Sequence, residues 1–581
     1  MTLDTVEIKQ AWWKEASVYQ IYPASFQDSN GDGVGDIKGI ISRLDYIKSL
    51  GVDIVWLNPF FDSPQVDMGY DVADYKKIYS PYGTMEDVEQ LISGLHSRGM
   101  KMLVDLVVNH TSDKHEWFQN SRSSIDNPFR EWYIWRKPKI DSNGKKHPPN
   151  NWLSYFGGSA WEYDEESGEY YLHLFAKEQP DLNWENESVR KAVHDIIRFW
   201  LDKGADGFRM DVINFISKDQ RFPDAEIVHH DRDYQWGHKY YACGPRLHEY
   251  LKDIGAILKE YNAFSVGEMP ACGDTNEIIK AVGDERGELN MIFHFELVDI
   301  DHGEDGKFYS TRKWPLSDLH HITDKWQRFM QTNNGWNAIY LENHDQPRSV
   351  SRYASDAPQF RTVAAKMIAT FLSFQQGTLF IYQGQELGLR NVPKSWDISR
   401  YKDIESINHY NLVINKKSSP QEIAYVMDNI QNISRDNARV PFQWDNSPNA
   451  GFTSGTPWIE VNDDYKTVNA SSEEKDDGSV LNYWRNILEL RKTLKEVFVY
   501  GVFEMISKAS EENILAFKRV TAGKEALVIC NFSSKEIEWT IPTEFVGSKV
   551  LLSNYSGSKF LNDKLFTLGP FQSIVSLSDE Q

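Results

Sequence analysis

The sequence predicts an α/β fold: a (β/α)8 TIM barrel with a small domain inserted after strand 3 and a C-terminal antiparallel β-sandwich domain. Three observations carry this expectation. Short apolar runs recur along the chain, several of them followed by an amphipathic helical pattern, and strand–helix alternation of this kind builds a parallel sheet. Roughly a hundred residues separate the third and fourth runs, too many for an ordinary connection. After about Val502 the texture turns to short alternating runs divided by turn residues, the pattern of antiparallel strands.

The runs are, in order, "SVYQIYP" (17–23), "IVWLNP" (54–59), "KMLVDLVV" (101–108), "GFRMDVI" (207–213), "FSVGEM" (264–269), "LNMIFHF" (289–295), "NAIYLEN" (337–343) and "TLFIYQG" (378–384). Stretches such as "DIKGIISRLDYIKSLG" and "TMEDVEQLISGLHSRG" carry helical periodicity and close on a glycine, as helix ends do. The first part of the long separation, near 110–176, is rich in Trp, Tyr, Asn, Gly and Pro. The chain therefore divides into barrel (1–109 and 177–502), inserted domain (110–176) and C-terminal β domain (503–581), the last built on "ILAFKRV", "EALVICNF", "EIEWTI" and "SIVSLS". A further long excursion, 385–445, follows the eighth run.

A chain of 581 residues exceeds the size at which one core stops growing, so several domains are expected. A net charge of −22 argues against nucleic acid, whose phosphates need Lys and Arg, and against an anionic membrane surface. The three cysteines, Cys243, Cys272 and Cys530, are widely spaced and form no CxxC site, which points to a reducing compartment, the cytoplasm. No apolar stretch is long enough to span a membrane, and the first residues lack the pattern of a secretion signal. The partner is a small molecule, and a monomer is expected.

"DSNGDGVGD" (28–36) offers oxygen ligands at Asp28, Asn30, Asp32 and Asp36, plus the Val34 carbonyl. Hard cations want such oxygens. Counted as an EF-hand, position six is Gly33 but position twelve is Gly39 where a Glu belongs, and no second loop follows. A turn without an ion and a single structural ion both remain open on the residues alone.

In a barrel enzyme the chemistry sits where strands end. Run three ends in Asp105, Asn109 and His110; run four in Arg209 and Asp211; run five in Glu268; run seven in His344 and Asp345. Two histidines beside an arginine do not make a metal centre. Glycoside cleavage instead needs two carboxyls, one an ionised nucleophile and the other a proton donor of raised pKa. Arg209 and Asp211 are two residues apart, on one face of a strand, so the arginine is expected to lower the Asp211 pKa and keep it ionised. Asp211 is thus the candidate nucleophile, Glu268 the acid/base and Asp345 a third acid for an oxocarbenium-like centre or for ring hydroxyls.

"DLVVNH", "GFRMDVIN", "VGEM" and "LENHD" resemble the four motif regions of the alpha-amylase family of glycoside hydrolases. "QPDLNWEN" (179–186) resembles the extra motif of its oligo-1,6-glucosidase and alpha-glucosidase branch, and the likeness runs from "YQIYPASFQDSNGDG" to "SRDNARVPFQW" (434–444). The resemblance implies a retaining mechanism on α-linked glucose with the same three acids in the same roles. It places Asp67, Tyr70, His110, Arg209, His344 and Arg439 around the non-reducing glucose, with Asp67 and Arg439 closing the pocket for exo-action. It sets Tyr155, Phe156 and Phe175 at the entrance, and it implies a structural Ca2+ at Asp28, Asn30, Asp32, Val34 and Asp36. Val212, next to the nucleophile, and Pro270 in "GEMP" resemble the α-1,6-acting members, where a Thr would resemble maltases. Hydrolysis of isomaltose-type ends, and of sucrose, is therefore expected, with no organic cofactor.

Three alternatives stand beside this. A maltose-preferring or broad alpha-glucosidase would differ in the aglycone site alone. A sucrose isomerase or glucosyltransferase would share the acids, but those isomerases resemble an "RLDRD" arginine loop where this chain reads "ELVDIDHGEDGK". A non-catalytic transporter accessory protein would lack the acids and carry a membrane anchor.

Overall fold

The computed structural model describes residues 8–303, 306–308, 310–557 and 563–579. The expected outer limits of the first and last segments, at residues 1 and 581, lie outside the described residues. The eight runs become eight parallel strands: β1 (Ser17–Ile21), β2 (Ile54–Leu57), β3 (Lys101–Leu106), β4 (Gly207–Met210), β5 (Phe264–Glu268), β6 (Met291–Phe293), β7 (Ala338–Ile339) and β8 (Thr378–Tyr382). They pair in the order β6-β5-β4-β3-β2-β1-β8-β7. A single parallel bridge, Ile292 to Asn337, closes the ring between β6 and the residue before β7.

These strands are buried on both faces, which is why they read as continuous apolar runs. Residue parity separates the faces. Val18, Trp56, Leu103, Val266, Phe293 and Phe380 fill the barrel interior, while Tyr19, Val55, Met102, Phe208 and Ile381 pack outward in the larger core. The inward parity continues up each strand and changes character at the C-terminal end: Leu103 gives way to Asp105, and Val266 to Glu268. In β4 the same parity runs through Gly207, Arg209 and Asp211. A Cβ on Gly207 would lie 2.1 Å from the Phe264 carbonyl oxygen, so the glycine permits the close β4–β5 approach.

The helices follow their local signals. Met85–Ser97 begins with a capping box of Thr84 and Asp87. "DIKGIISRLDYIKSLG" is two helices, Ile37–Ser42 and Leu44–Leu50, because Arg43 leaves helical geometry at φ −109°, ψ 9°. Gly51 closes the second at φ 97°, a left-handed position that suits glycine.

Between β3 and β4 lies a small three-stranded sheet in which Glu169–Leu172 pairs with Trp161–Asp164 and Trp135–Arg136. After β8 the chain forms two packed helices, Ile404–Asn415 and Pro420–Ile433. The C-terminal unit is a five-stranded antiparallel sheet whose second layer is only two strands, Ile537–Thr540 and Leu565–Leu568. One face of the main sheet packs Ile514, Leu527 and Ile529 on that layer; the other sends Leu515, Phe517 and Val528 into the barrel's outer core.

Two buried arginines sit at that junction. Arg491 donates to the carbonyls of Ser373, Gln375, Gly377 and Phe498. Arg519 donates to those of Phe374, Phe498, Val499 and Gly501. Neither pairs with a carboxylate among the described residues. No helix among those residues is long and apolar enough to cross a membrane.

Candidate active site

The inward residues at the strand ends meet on one guanidinium. Arg209 Nη1 lies 2.9 Å from Asp105 Oδ1 and 2.7 Å from Asp211 Oδ1, and its Nη2 lies 2.7 Å from Glu268 Oε2. Asp105 is also held by Tyr70 Oη (2.9 Å) and Trp56 Nε1 (3.1 Å). Glu268 Oε2 accepts a further bond from the Val212 backbone N–H at 3.1 Å. Val212 is left-handed, at φ 33° and ψ 43°, an outlier for a β-branched residue. Because the two nitrogens of one guanidinium carry Asp211 and Glu268, the two carboxyls are confined side by side.

The electrostatics correct the simple expectation for Asp211. Burial pushes its pKa well above the ordinary range, Arg209 opposes this, and the nearby Glu268 and Asp105 reinforce the rise. Glu268 is raised as well, by burial first, against the pull of Arg209. One guanidinium is shared among three largely buried carboxylates, so its pull on each is divided. Both shifts run in the direction that favours one proton on the pair, and the titration belongs to the two groups together. A retaining reaction starts from that state, one carboxylate and one carboxylic acid.

Asp345 behaves differently. Burial would raise its pKa, yet it is held well below the usual carboxylate range by His344, Arg435 and Arg439. His344 itself is driven far down by burial and by the surrounding arginines, so it is neutral, and the hold on Asp345 rests on the two arginines. Arg439 Nη2 is 2.7 Å and Arg435 Nη1 3.5 Å from Asp345 Oδ1. The neutral His344 ring stacks on Tyr70 with centroids 5.1 Å apart and planes 8° apart.

The cavity above these groups is about 1110 Å³. Asp67, Tyr70, His110, Asp211, Glu268 and Asp345 line it, as do Tyr155, Phe156, Phe175, Val212 and Pro270. Arg209, His344 and Arg439 lie beneath the lining and act through the residues they hold. This revises the pairing expected at the closed end. The arginine beside Asp67 is Arg435, with Nη2 3.0 Å from Asp67 Oδ1, while Arg439 reaches back to the His344 carbonyl at 2.9 Å. The two arginines are four residues apart in "SRDNARV", and nothing in the sequence distinguishes which one faces the cavity. Gln179, from the extra motif, donates to Asp67 Oδ2 at 3.2 Å. His110 is lowered to about 4 by burial and is neutral.

The entrance aromatics come from the inserted segment. Tyr155 stacks on Phe175 at 5.1 Å, and Phe156 meets Phe175 edge-on at 5.7 Å. Trp236 and His238, stacked at 5.0 Å, extend this wall from the loop after β4; no periodicity or motif marked them. The helix Ile404–Asn415 supplies Asn408 and Leu412 to the opposite rim.

In the loop 28–36 the side chains are engaged with their own backbone. Asp28 accepts from the N–H groups of Asn30, Gly31 and Gly33, Asn30 from that of Asp32, and Asp32 from that of Val34. Asp36 caps the helix Ile37–Ser42 through the Gly39 N–H. The donor chemistry is all oxygen and suits a hard cation. Among the described residues, however, no three His, Cys, Asp or Glu side chains converge to hold a metal. The loop keeps its shape through these hydrogen bonds, and no catalytic step needs an ion there.

Comparison with known proteins agrees with this geometry. The model of the alpha-amylase catalytic domain matches residues 20–501, and that of the alpha-amylase SusG C-terminal domain matches 514–575. An alpha-glucosidase of Schizosaccharomyces pombe is 51% identical over 98% of both chains. An oligo-1,6-glucosidase of Parageobacillus thermoglucosidasius is 48% identical over 98% of this chain and 99% of its own. Among solved structures, a mutant isomaltulose synthase of Erwinia rhapontici, in complex with its natural substrate sucrose, superposes with a TM-score of 0.93 at 40% identity, covering 98% of this chain and 100% of that one.

Proposed function

The chain belongs to the alpha-amylase family of glycoside hydrolases, and we propose that it is a retaining, exo-acting alpha-glucosidase that frees glucose from the non-reducing end of short α-glucosides. The observation that carries this reading is the shared guanidinium. Arg209 holds Asp211 and Glu268 together in the wall of a cavity that the Asp67–Arg435 ion pair also lines. Retaining enzymes keep their two carboxyls only about 5–5.5 Å apart, with no room for water between them. The Asp67–Arg435 pair, in this reading, closes the pocket beyond one sugar, so that it admits a chain end.

In this reading Asp211 Oδ attacks the anomeric carbon while Glu268 passes its proton to the departing glycosidic oxygen. The C–O bond to the aglycone breaks as the bond to Asp211 forms. Glu268, now a carboxylate, then takes a proton from water, whose oxygen displaces Asp211 and releases glucose with its original configuration. Asp345, kept ionised by Arg435 and Arg439, faces the positive charge that develops at the ring and accepts bonds from its hydroxyls.

Preference for α-1,6 linkages is the finer part of the proposal. Val212 presents methyls to the cavity where a Thr would offer a hydroxyl, and it lies next to the aglycone side at Pro270. Maltose-preferring action is the alternative within the same site. For sucrose isomerisation the aglycone would have to be retained; the segment after β6 supplies Phe295 and Asp299 to the rim, with no arginine in "FELVDIDHG". The non-catalytic reading is disfavoured by the presence of all three acids. A cytoplasmic location, a monomeric state and a structural Ca2+ at residues 28–36 belong to the same proposal. The cysteine usage supports the first, and the oxygen donors support the last.

The deciding experiment is proton NMR of the first product formed, combined with rates on isomaltose, maltose, sucrose and p-nitrophenyl α-glucoside. The α-anomer of glucose should appear first and isomaltose should be the best disaccharide. Initial β-glucose would overturn the retaining mechanism. Inert isomaltose beside a rapidly cleaved maltose would overturn the linkage preference, and isomaltulose from sucrose would move the enzyme to the isomerases.

A further inference from the structure

We propose that Cys243 and Cys272 form a reversible thiol-oxidation site beside the active site, one that takes low-molecular-weight disulfides such as glutathione disulfide and closes to an internal disulfide. The proposal stands on four features. The two Sγ atoms are 3.1 Å apart although the residues are 29 positions apart in the chain. Both are reduced and half-buried, so a small oxidant can reach them, whereas Cys530 is fully buried. A disulfide bond is about 2.05 Å long, so closure asks for a movement of about 1 Å. Finally, Cys243 has a donor in place: the Asn214 side-chain amide lies 3.7 Å from its Sγ.

The pair is joined to the catalytic carboxylates by short backbone links. Cys272 follows Glu268 by four residues, through Pro270 and Ala271, both of which line the cavity. Cys243 donates its backbone N–H to the Asn214 carbonyl, and Asn214 lies three residues after Asp211. The buried Asn214 amide also donates to the Pro270 carbonyl at 2.7 Å, tying the two loops together. Cys243 and Ala271 already sit in left-handed backbone geometry, at φ 52° and φ 54°. Such positions have little freedom to absorb a displacement, so closing the pair draws on the Glu268 loop.

The chemistry balances without any further reactant. The Cys243 thiolate, which its neighbours Cys272 and Asn214 hold below the ordinary thiol pKa, attacks one sulfur of the small disulfide and expels one thiolate. A mixed disulfide remains on Cys243. Cys272, whose own thiol is held up by its contact with Cys243, is freed of that contact once the Cys243 sulfur is capped; it passes its proton to the first departing thiolate, attacks the Cys243 sulfur, forms the protein disulfide and releases the second small thiol. Overall, two protein thiols are oxidised by two electrons, and one small disulfide becomes two thiols. A small dithiol reductant reverses the sequence.

The test uses the whole enzyme with glutathione disulfide as probe. Intact mass should fall by two hydrogens with no adduct, free thiols in denaturant should drop from three to one, and dithiothreitol should restore both. Over the same course kcat/KM on a disaccharide should fall tenfold or more and recover on reduction. A p-nitrophenyl glucoside, whose leaving group needs little help from Glu268, should lose much less. Cys243→Ser and Cys272→Ser, each made separately, should keep the basal rate and form no internal disulfide: Cys243→Ser should stay unmodified, and Cys272→Ser should stop at the glutathione adduct on Cys243. In the wild type, a persistent glutathione adduct without ring closure, or a disulfide that leaves the disaccharide rate unchanged, would overturn the proposal. The mass readout needs no substrate, so its failure is separable from failure of the alpha-glucosidase reading on which the rate comparison rests.

Discussion

Replacing Glu268 with Gln should abolish efficient hydrolysis and at the same time stabilise the protein, by an amount that depends on pH. The magnitude follows from the site's charges. Were both ionised, two carboxylates about 5 Å apart would repel by roughly 3 kcal/mol at an effective dielectric of about 20, which is why a proton stays on the pair. Keeping Glu268 protonated above the pKa it has in the unfolded chain costs folding about 1.4 kcal/mol per pH unit, and the amide, which needs no proton, removes that cost. The balance is a gain of about 2 kcal/mol near neutrality. Its sign with pH is fixed by the raised pKa of Glu268 in the folded state. A carboxyl raised on folding favours the native state only while protonated, so the wild type loses stability as pH climbs through the folded pKa, and the variant does not. Thermal unfolding of both proteins between pH 4 and pH 8 should give curves that nearly meet at the acid end and separate by a few degrees at the alkaline end. A variant less stable than wild type at pH 7, or a difference that does not change with pH, would refute the account of three carboxylates sharing one cation.

Other expectations can be checked as directly. Asp211→Gly should lose at least a thousandfold in kcat on isomaltose, and azide should rescue p-nitrophenyl glucoside cleavage with formation of the β-glucosyl azide; the product's anomeric coupling constant reads the face of attack. Arg435→Ala should cut kcat/KM by about 10–100-fold, the value of a charged hydrogen bond, through the closed end of the pocket. Arg439→Ala should act mainly by letting the Asp345 pKa rise, moving the acid limb of the pH–rate profile upward. Val212→Thr should shift the isomaltose-to-maltose ratio of kcat/KM toward maltose by about tenfold. If a cation occupies the loop 28–36, a chelator should lower Tm by a few degrees while leaving the rate at 25 °C unchanged.

How far the molecule could be read from its residues depended on the range of the interaction. The strands were legible because burial on both faces forces continuous apolar runs, and parity carried Arg209 and Asp211 to one side of β4. The pairing of Asp67 with Arg435 was not legible, because it joins residues hundreds of positions apart and two arginines, one preceding and one ending the short helix Asp436–Arg439, compete for the role. The direction of the Asp211 pKa shift was not legible for a related reason. Sequence places Arg209 beside it, but only the folded site reveals that Asp105 and Glu268 draw on the same guanidinium. Trp236 stands in an irregular loop and His238 opens the four-residue helix His238–Tyr241, too short for a period to single either out. The contact of Cys243 with Cys272 likewise arises from two loops that meet only once the barrel closes.

Arg491 and Arg519 bear on how this molecule can be divided. Each spends its donors on peptide oxygens from the ends of barrel helices and the start of the terminal sheet. Cutting the chain near residue 502 would remove Arg519 and strip the outward face of Phe374 and Phe498 of its cover. The severed barrel would then hold one guanidinium with no companion, loose carbonyls and a bare greasy wall. The last eighty or so residues are thus the keystone of the catalytic body rather than an appendage, and shortened versions should be recovered as aggregates.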